Sequence, residues 1–380
     1  EDFYYTPPTG YKALNTNNLD DSSIALPEEH FEAVVYVGDG NSTQEVTTSF
    51  EPDLIWNKNR TTVYHNRLFD RVRGLDKSVY SNLNSAEDTY QDYGYPTATS
   101  STSVTVGQGT DTNKLINLNN QNYVLWNWKA DSTSGSSNTD GTITSTVSAN
   151  TTSGFSIVKY TGTGVAGDTM GHGLSQAPEM VIMKKRISNG SDGVRGWHVW
   201  AKYLTDGNYL SLNATNAQFN ARDFGEVGNA TYPYTAPTAS LITFGGVNTG
   251  AYQEVNYNGD DYIMYCFHSV EGYSKVGSYT GNGSTDGTFF YTGFRPAFIM
   301  FKNTTATGNW VIVDNKRNTY NEINKTLWAD LSSTEGTYAW GDFTSNGFKF
   351  RNTSNGLNNS GQNYIYLAIA ESPFKYSNAR

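Results

Sequence analysis

The chain is poor in charge, in cysteine and in helix-forming residues. Only 16% of its 380 residues are charged, the net charge is −10, and no basic cluster occurs. Duplex nucleic acid and anionic membrane surfaces are thereby disfavoured as partners, since both need concentrated Lys and Arg. A single cysteine, Cys266, excludes an intrachain disulfide and a cysteine-based metal site. It sits in the apolar run Tyr262-Ile263-Met264-Tyr265-Cys266-Phe267 and reads as a buried, inert thiol. No stretch approaches the ~20 apolar residues of a membrane span, and no signal peptide is visible. HExxH, GxSxG and Walker patterns are absent, and the five histidines (His30, His65, His172, His198, His268) have no ligand spacing. Gly162-Thr163-Gly164 and Gly281-Asn282-Gly283 read as hairpin turns, because no helix follows to hold a phosphate. Asp39 and Asp260-Asp261 lack the spaced ligands of a calcium loop. No cofactor is expected.

What the chain does have is repetition. Phe50-Glu51-Pro52-Asp53-Leu54-Ile55-Trp56-Asn57-Lys58, Gln176-Ala177-Pro178-Glu179-Met180-Val181-Ile182-Met183-Lys184 and Phe294-Arg295-Pro296-Ala297-Phe298-Ile299-Met300-Phe301-Lys302 each place a lysine six residues after a proline. The proline spacings are 178 − 52 = 126 and 296 − 178 = 118 residues. Recurrence at that period means tandem copies of one folding unit.

Each copy has four recognisable parts. An opening strand ends in Gly-x-Gly at Gly38, Gly162 and Gly281. The proline-to-lysine strand follows; its unbroken apolar run suits a strand covered on both faces. The third part aligns Lys77–Tyr90 with Lys325–Tyr338, while copy two keeps only Tyr209-Leu210-Ser211-Leu212-Asn213 and carries an insertion around Phe219–Pro237. The closing strands are Tyr123–Lys129, Tyr262–His268 and Tyr364–Ala370. With 14% aromatic residues and abundant Tyr, Asn, Thr, Ser and Gly, the expected class is all-β: three tandem antiparallel β-sandwich modules of jelly-roll kind.

The expected layout is a tether or the end of an upstream domain over 1–30, modules over 31–130, 154–270 and 271–380, and a Ser/Thr/Gly-rich linker over 131–153. On this layout the first module is hinged, and the second and third form a stiffer pair. The chain opens at Glu1 without an initiating methionine, so further sequence is expected upstream.

Several segments resemble a repeat of virion structural proteins from marine bacteriophages, of the tail-fibre and appendage kind. They are Tyr279-Thr280-Gly281-Asn282-Gly283, Phe294-Arg295-Pro296, Trp310–Asn318, Phe343–Phe348 and Ala370-Glu371-Ser372-Pro373-Phe374. Tyr5–Thr16 resembles the exit of a SPRY-like domain that precedes such repeats. The resemblance implies a place on the outside of a virion and other virion proteins as partners. Fibre analogy adds a homotrimer. It supplies no catalytic motif.

The acids that could serve a glycan-cleaving spike are Asp70 and Asp314, each followed at the third position by Arg73 or Arg317. A motif repeated in matching context reads as a structural ion pair, because a catalytic pair would be singular. Glu87 and Glu335 fall to the same argument. For a host-surface glycan, the best candidate contacts are Trp340, in what reads as a Gly-flanked loop, with Tyr338 and Asp342. The leading expectation is a non-enzymatic fibre or appendage protein. The alternatives are a secreted bacterial carbohydrate-binding array and a polysaccharide depolymerase.

Overall fold

The computed structural model describes residues 18–377, apart from 20, 90, 112–115, 189–195, 221–222, 226–232, 246–254 and 355. The secondary structure is all-β, in antiparallel sheets. Each copy builds one sheet in the same order: opening strand, closing strand, proline strand, fourth strand. In copy one these are Phe31–Val37, Asn122–Trp128, Leu54–Asn59 and Arg67–Asp70. In copy two they are Phe155–Thr161, Asp261–Phe267, Met180–Ile187 and Trp197–Ala201. In copy three they are Ser274–Thr280, Asn363–Pro373, Phe294–Asn303 and Val311–Asp314. The register matches too: Trp56 lies opposite Trp126, Ile182 opposite Tyr265, and Met300 opposite Leu367. This register makes the copies an internal alignment.

The Gly-x-Gly turns follow from sterics. Gly40, Gly164 and Gly283 take φ of 73°, 70° and 64°, the left-handed region. A Cβ on Gly38, Gly162 or Gly281 would lie 2.3 Å from a backbone carbonyl oxygen in each copy. Before each turn a tyrosine (Tyr36, Tyr160, Tyr279) stacks on the first tyrosine of the closing strand, with centroids 5.0, 5.0 and 4.9 Å apart.

Successive residues of a strand face opposite sides, and both sides of these sheets are covered. Ile55, Val181 and Ile299 enter separate outer cores. In copy one, a second sheet of Thr43–Thr47, Ser103–Gly107 and Tyr95–Ser100 closes that outer face and completes the sandwich. Leu54, Trp56, Met180, Ile182, Phe298 and Met300 point the other way, into one core shared by all three copies. There Trp128 meets Phe31, Phe155, Phe267 and Phe298, with ring centroids between 4.8 and 6.4 Å.

Three expectations about layout are corrected by this packing. The first module is not hinged, since its inner face completes the shared core. The stretch 131–153 is not a free linker. Its strands Ser136–Asn138 and Ser145–Asn150 extend the sheet of copy two, and Ser148 Oγ bonds the Asp131 carboxylate at 2.5 Å. The end of the supposed tether is docked. Ile24 is buried in the shared core, and Ser22 Oγ donates to the Glu271 carbonyl (3.2 Å). Residues 1–17 and much of the insertion in copy two lie outside the described residues.

Candidate functional site

The repeated polar residues meet at the seams between copies. Lys58 is fully buried and donates to the carbonyls of Tyr64 in its own copy and Ser332 in copy three (2.9 Å). Lys302, in the matching place, donates to Gly308 (2.7 Å) and to Thr215 in copy two (3.0 Å). Desolvation lowers both ammonium groups, Lys58 to about 7 and Lys302 to about 8. Lys184, the third member, is lowered to about 7 by the same cause and by its neighbour Lys185.

A second contact recurs at all three seams. Asn66, Trp197 and Trp310 hold matching positions at the start of the fourth strand, Asn66 and Trp310 just before it and Trp197 as its first residue. Asn66 Nδ2 donates to the Trp328 carbonyl (3.1 Å), Trp197 Nε1 to Tyr80 (2.7 Å), and Trp310 Nε1 to Ser211 (2.8 Å). Copy one thus bonds to copy three, two to one, and three to two. A backbone bond repeats the cycle, from Glu335 N to Arg60 O (2.8 Å), Glu87 N to Arg186 O (2.8 Å) and Gln218 N to Thr304 O (3.0 Å). The ring is closed and head-to-tail.

Asp70 and Asp314 each form the ion pair that their repetition implies. Asp70 accepts Arg73 Nε at 2.5 Å and Arg73 N at 2.8 Å; Asp314 accepts Arg317 Nε at 2.6 Å and Arg317 N at 2.8 Å. Each carboxylate also takes a donor from the neighbouring copy, Tyr265 Oη on Asp70 (2.9 Å) and Trp126 Nε1 on Asp314 (3.0 Å). Glu87 bridges Arg73 and Arg186 at 3.1 and 2.9 Å; Glu335 bridges Arg317 and Arg60 at 3.3 and 2.9 Å.

The third seam has lost this network as a set. The strand register puts Ala201 where Asp70 and Asp314 stand, with Leu204 in place of the arginine three residues on. Gln218 replaces the glutamate. On the opposing copy, Thr304 replaces the arginine and Leu367 the aromatic donor. Ala201, Leu204 and Leu367 are all buried in the shared core. Removing one member of such a network would strand a buried charge; removing every member leaves apolar packing. The departure of copy two from the motif is therefore matched across its interface by copy three.

The residues expected to meet a glycan, Tyr338, Trp340 and Asp342, all lie on one strand. Trp340 lies on the strand Gly336–Thr344, not in a loop, and is buried in the outer core of copy three. Its indole N–H donates to Thr326 Oγ1. Only 8% of the residue's surface is exposed. Tyr338 is half exposed, its ring centroid 5.5 Å from that of Trp340. Asp342 pairs with Arg351 Nε at 2.6 Å. Among the histidines, His198 is buried against Asp223 (2.6 Å) and stacked on Tyr209. Asp260 faces Lys185 at 2.8 Å. No group of three His, Cys, Asp or Glu side chains suited to a metal occurs among the described residues. Sequence reading missed Arg60, Arg186 and the position of Asn66, Trp197 and Trp310. Extending the aligned stretches two residues past each lysine would have raised the two arginines.

A closed ring makes the three copies one structural unit. The family described as Domain of unknown function (DUF7483) matches residues 26–373, a single span across all three copies. The chain belongs to that family. The DUF7483 unit is therefore the whole ring and not one of its thirds, and its span begins close to the docked residue Ile24. None of the curated proteins matches the chain.

Proposed function

We propose that this DUF7483 protein is a non-enzymatic structural component of a bacteriophage particle, a tail fibre or other surface appendage, whose β-modules present a surface to host glycans. The observation that supports this best is the use made of its recurring polar groups. The repeated acids Asp70, Asp314, Glu87 and Glu335 each bond a residue of the neighbouring copy, Tyr265, Trp126, Arg186 and Arg60 in turn. Such investment in rigidity suits a load-bearing extracellular element. Many weak contacts on one particle then gain avidity through effective concentration. Association with other virion proteins and into a homotrimer belongs to the same reading.

Labelling of purified particles with an antibody against the chain tests location. Expected is label on the particle exterior; label confined to secreted material would favour a bacterial carbohydrate-binding array instead. Incubation with host capsule should release no reducing ends. Release abolished by one carboxylate substitution would make the protein a depolymerase. Light scattering tests the trimer, and a monomer at high concentration would remove it.

A further inference from the structure

Where the three copies agree, the shared residues build seams; a ligand site is better sought where one copy departs. The aromatic cleft of Tyr64, His65, Tyr80 and Tyr93, about 630 Å³, is one departure, since copy three has Gly308 and Asn309 in place of Tyr64 and His65. Its acids are already engaged, Glu87 by Arg73 and Arg186, and Asp88 by Arg67 (3.9 Å) and the Tyr80 hydroxyl. A second departure lies just before the proline strand, where the register aligns Glu51, Ala177 and Arg295. Glu51 takes the Arg71 guanidinium and accepts Thr99 Oγ1 at 3.1 Å. Arg295 meets Glu371 at 2.7 Å and donates to the Phe343 carbonyl at 2.8 Å. Each ties its proline strand to a strand of the outer layer. Ala177 is too short to do either, and a cleft of about 350 Å³ lies against it, within the size range of small-molecule sites.

We infer that the Ala177 cleft binds a uronic acid residue of a surface polysaccharide, an inference that rests on the attachment reading above and gives it a place. Copy one supplies the template. Its Arg71 stands between two carboxylates, Glu51 on one side and Asp53 (3.6 Å) on the other. Copy two keeps the inner half of this arrangement. Lys202 Nζ meets Glu179 at 2.9 Å, and Glu179 accepts the Ser269 N–H at 3.0 Å, as Asp53 accepts that of Ala130 at 2.6 Å. The backbone bonds match as well, Arg71 N to Asp53 O (3.0 Å) and Lys202 N to Glu179 O (2.8 Å). What copy two lacks is the outer carboxylate, and a uronate brings one. An ammonium has three donors, of which Glu179 takes one, and the Lys202 side chain is 57% exposed.

The rest of the cleft suits the sugar that carries the carboxylate. Pro178, Pro237 and the half-buried Tyr234 ring form a wall for its C–H groups. His268 lines the cleft and is almost wholly buried, with Nδ1 3.0 Å from the Ser269 carbonyl. The ring proton therefore sits on Nδ1, and the buried Nε2 is an acceptor without a partner among the described residues. A sugar hydroxyl is a donor for it. The cleft's own acids leave the outer place beside Lys202 to the ligand. Glu179 is shared between Lys202 and the N–H and hydroxyl of Ser269. Asp206 stands near the Tyr234 hydroxyl, which burial raises first and Asp206 further, and is not in the ion pair of Lys202.

Saturation-transfer NMR on the full chain tests the inference. The probes are methyl glycosides of glucuronic and galacturonic acid, set against those of glucose and galactose, which carry a hydroxymethyl group in place of the carboxylate. At least one uronide should receive saturation and bind about tenfold or more tightly than its neutral analogue. Ala177→Glu installs the residue of copy one; its carboxylate should take Lys202, abolish uronide binding and leave the melting temperature unchanged or higher. Lys202→Gln, at an exposed side chain, should weaken uronide binding about tenfold and serves if Ala177→Glu unfolds. Silence from both uronides, equal binding of the neutral analogues, or an undiminished signal in either variant would overturn the site. Glutarate binding as tightly as a uronide would overturn the assignment to a sugar. Particle labelling is independent of all these results, so loss of the cleft and loss of the virion reading are separable.

Discussion

Asp70→Ala should damage the protein more than replacing the whole network around it. In the native seam the Asp70 carboxylate accepts three bonds, from Arg73 Nε, Arg73 N and Tyr265 Oη. Its removal leaves the fully buried Arg73 guanidinium with only Leu68 O at 3.0 Å, Glu87 at 3.1 Å and a long contact to Tyr265. Stranding a buried charge in this way costs about 3–5 kcal/mol. At ~2.1 cal/mol/K per residue, unfolding the matched span 26–373 carries an entropy of roughly 0.7 kcal/mol/K, so the melting point should fall by ~4–7 °C. The comparison variant is Asp70→Ala/Arg73→Leu/Glu87→Gln/Arg186→Thr/Tyr265→Leu, which copies the residues of the third seam. Its loss should be smaller than that of the single substitution, about 2 kcal/mol or less, because buried networks are non-additive. Scanning fluorimetry on the eight native tryptophans reads both values. A fivefold variant that melts below Asp70→Ala would refute the account of the third seam as a self-consistent apolar replacement.

Stability should depend on pH through the buried lysines. The folded values of about 7 for Lys58 and Lys184 and about 8 for Lys302 lie below the unfolded 10.5, so the unfolded chain holds more protons in between. The penalty is fully present below pH 7 and is relieved as pH rises, so the melting temperature should climb between pH 7 and 9; a flat or falling profile would contradict the assignment. Trp340→Ala should lower stability by about 3–5 kcal/mol, measured by denaturant unfolding; a loss under about 1 kcal/mol would contradict its place in the outer core of copy three. Cys266 is fully buried, and burial pushes its thiol up to about 12. A maleimide should therefore label it only in denaturant; rapid labelling of the native chain would show that the outer core of copy two opens.

The strands were legible because their signals are local. The proline strands carry continuous apolar runs, and both faces of each are in fact buried. The recurring lysine was visible as well, but its purpose was not. Lys58 works through the Ser332 carbonyl, 274 residues away, and no spacing rule reaches that far. The layout failed for a related reason. Asp131–Gly154 has the composition of a linker, yet Ser145–Asn150 pairs with the opening strand of copy two and Ser136–Asn138 pairs with Ser145–Asn150, so tertiary pairing overrode composition. Trp340 was misread because flanking glycines suggested a loop. Gly341 instead lies in the ladder, where a Cβ would come within 2.0 Å of the Lys349 carbonyl oxygen. The Asp-x-x-Arg motif was readable as structural from its repetition alone, and the bonds to Tyr265 and Trp126 add the partner that sequence could not name.

Writing the ring in one polypeptide frees its corners from being identical. In an assembly of three equal chains, a change at the loop of Tyr64 would appear three times around the axis, and every seam would have to tolerate it. Here the corner with Tyr64, His65 and the aromatic cleft occurs once among the described residues. Any property of that corner is then counted once per chain and not once per module.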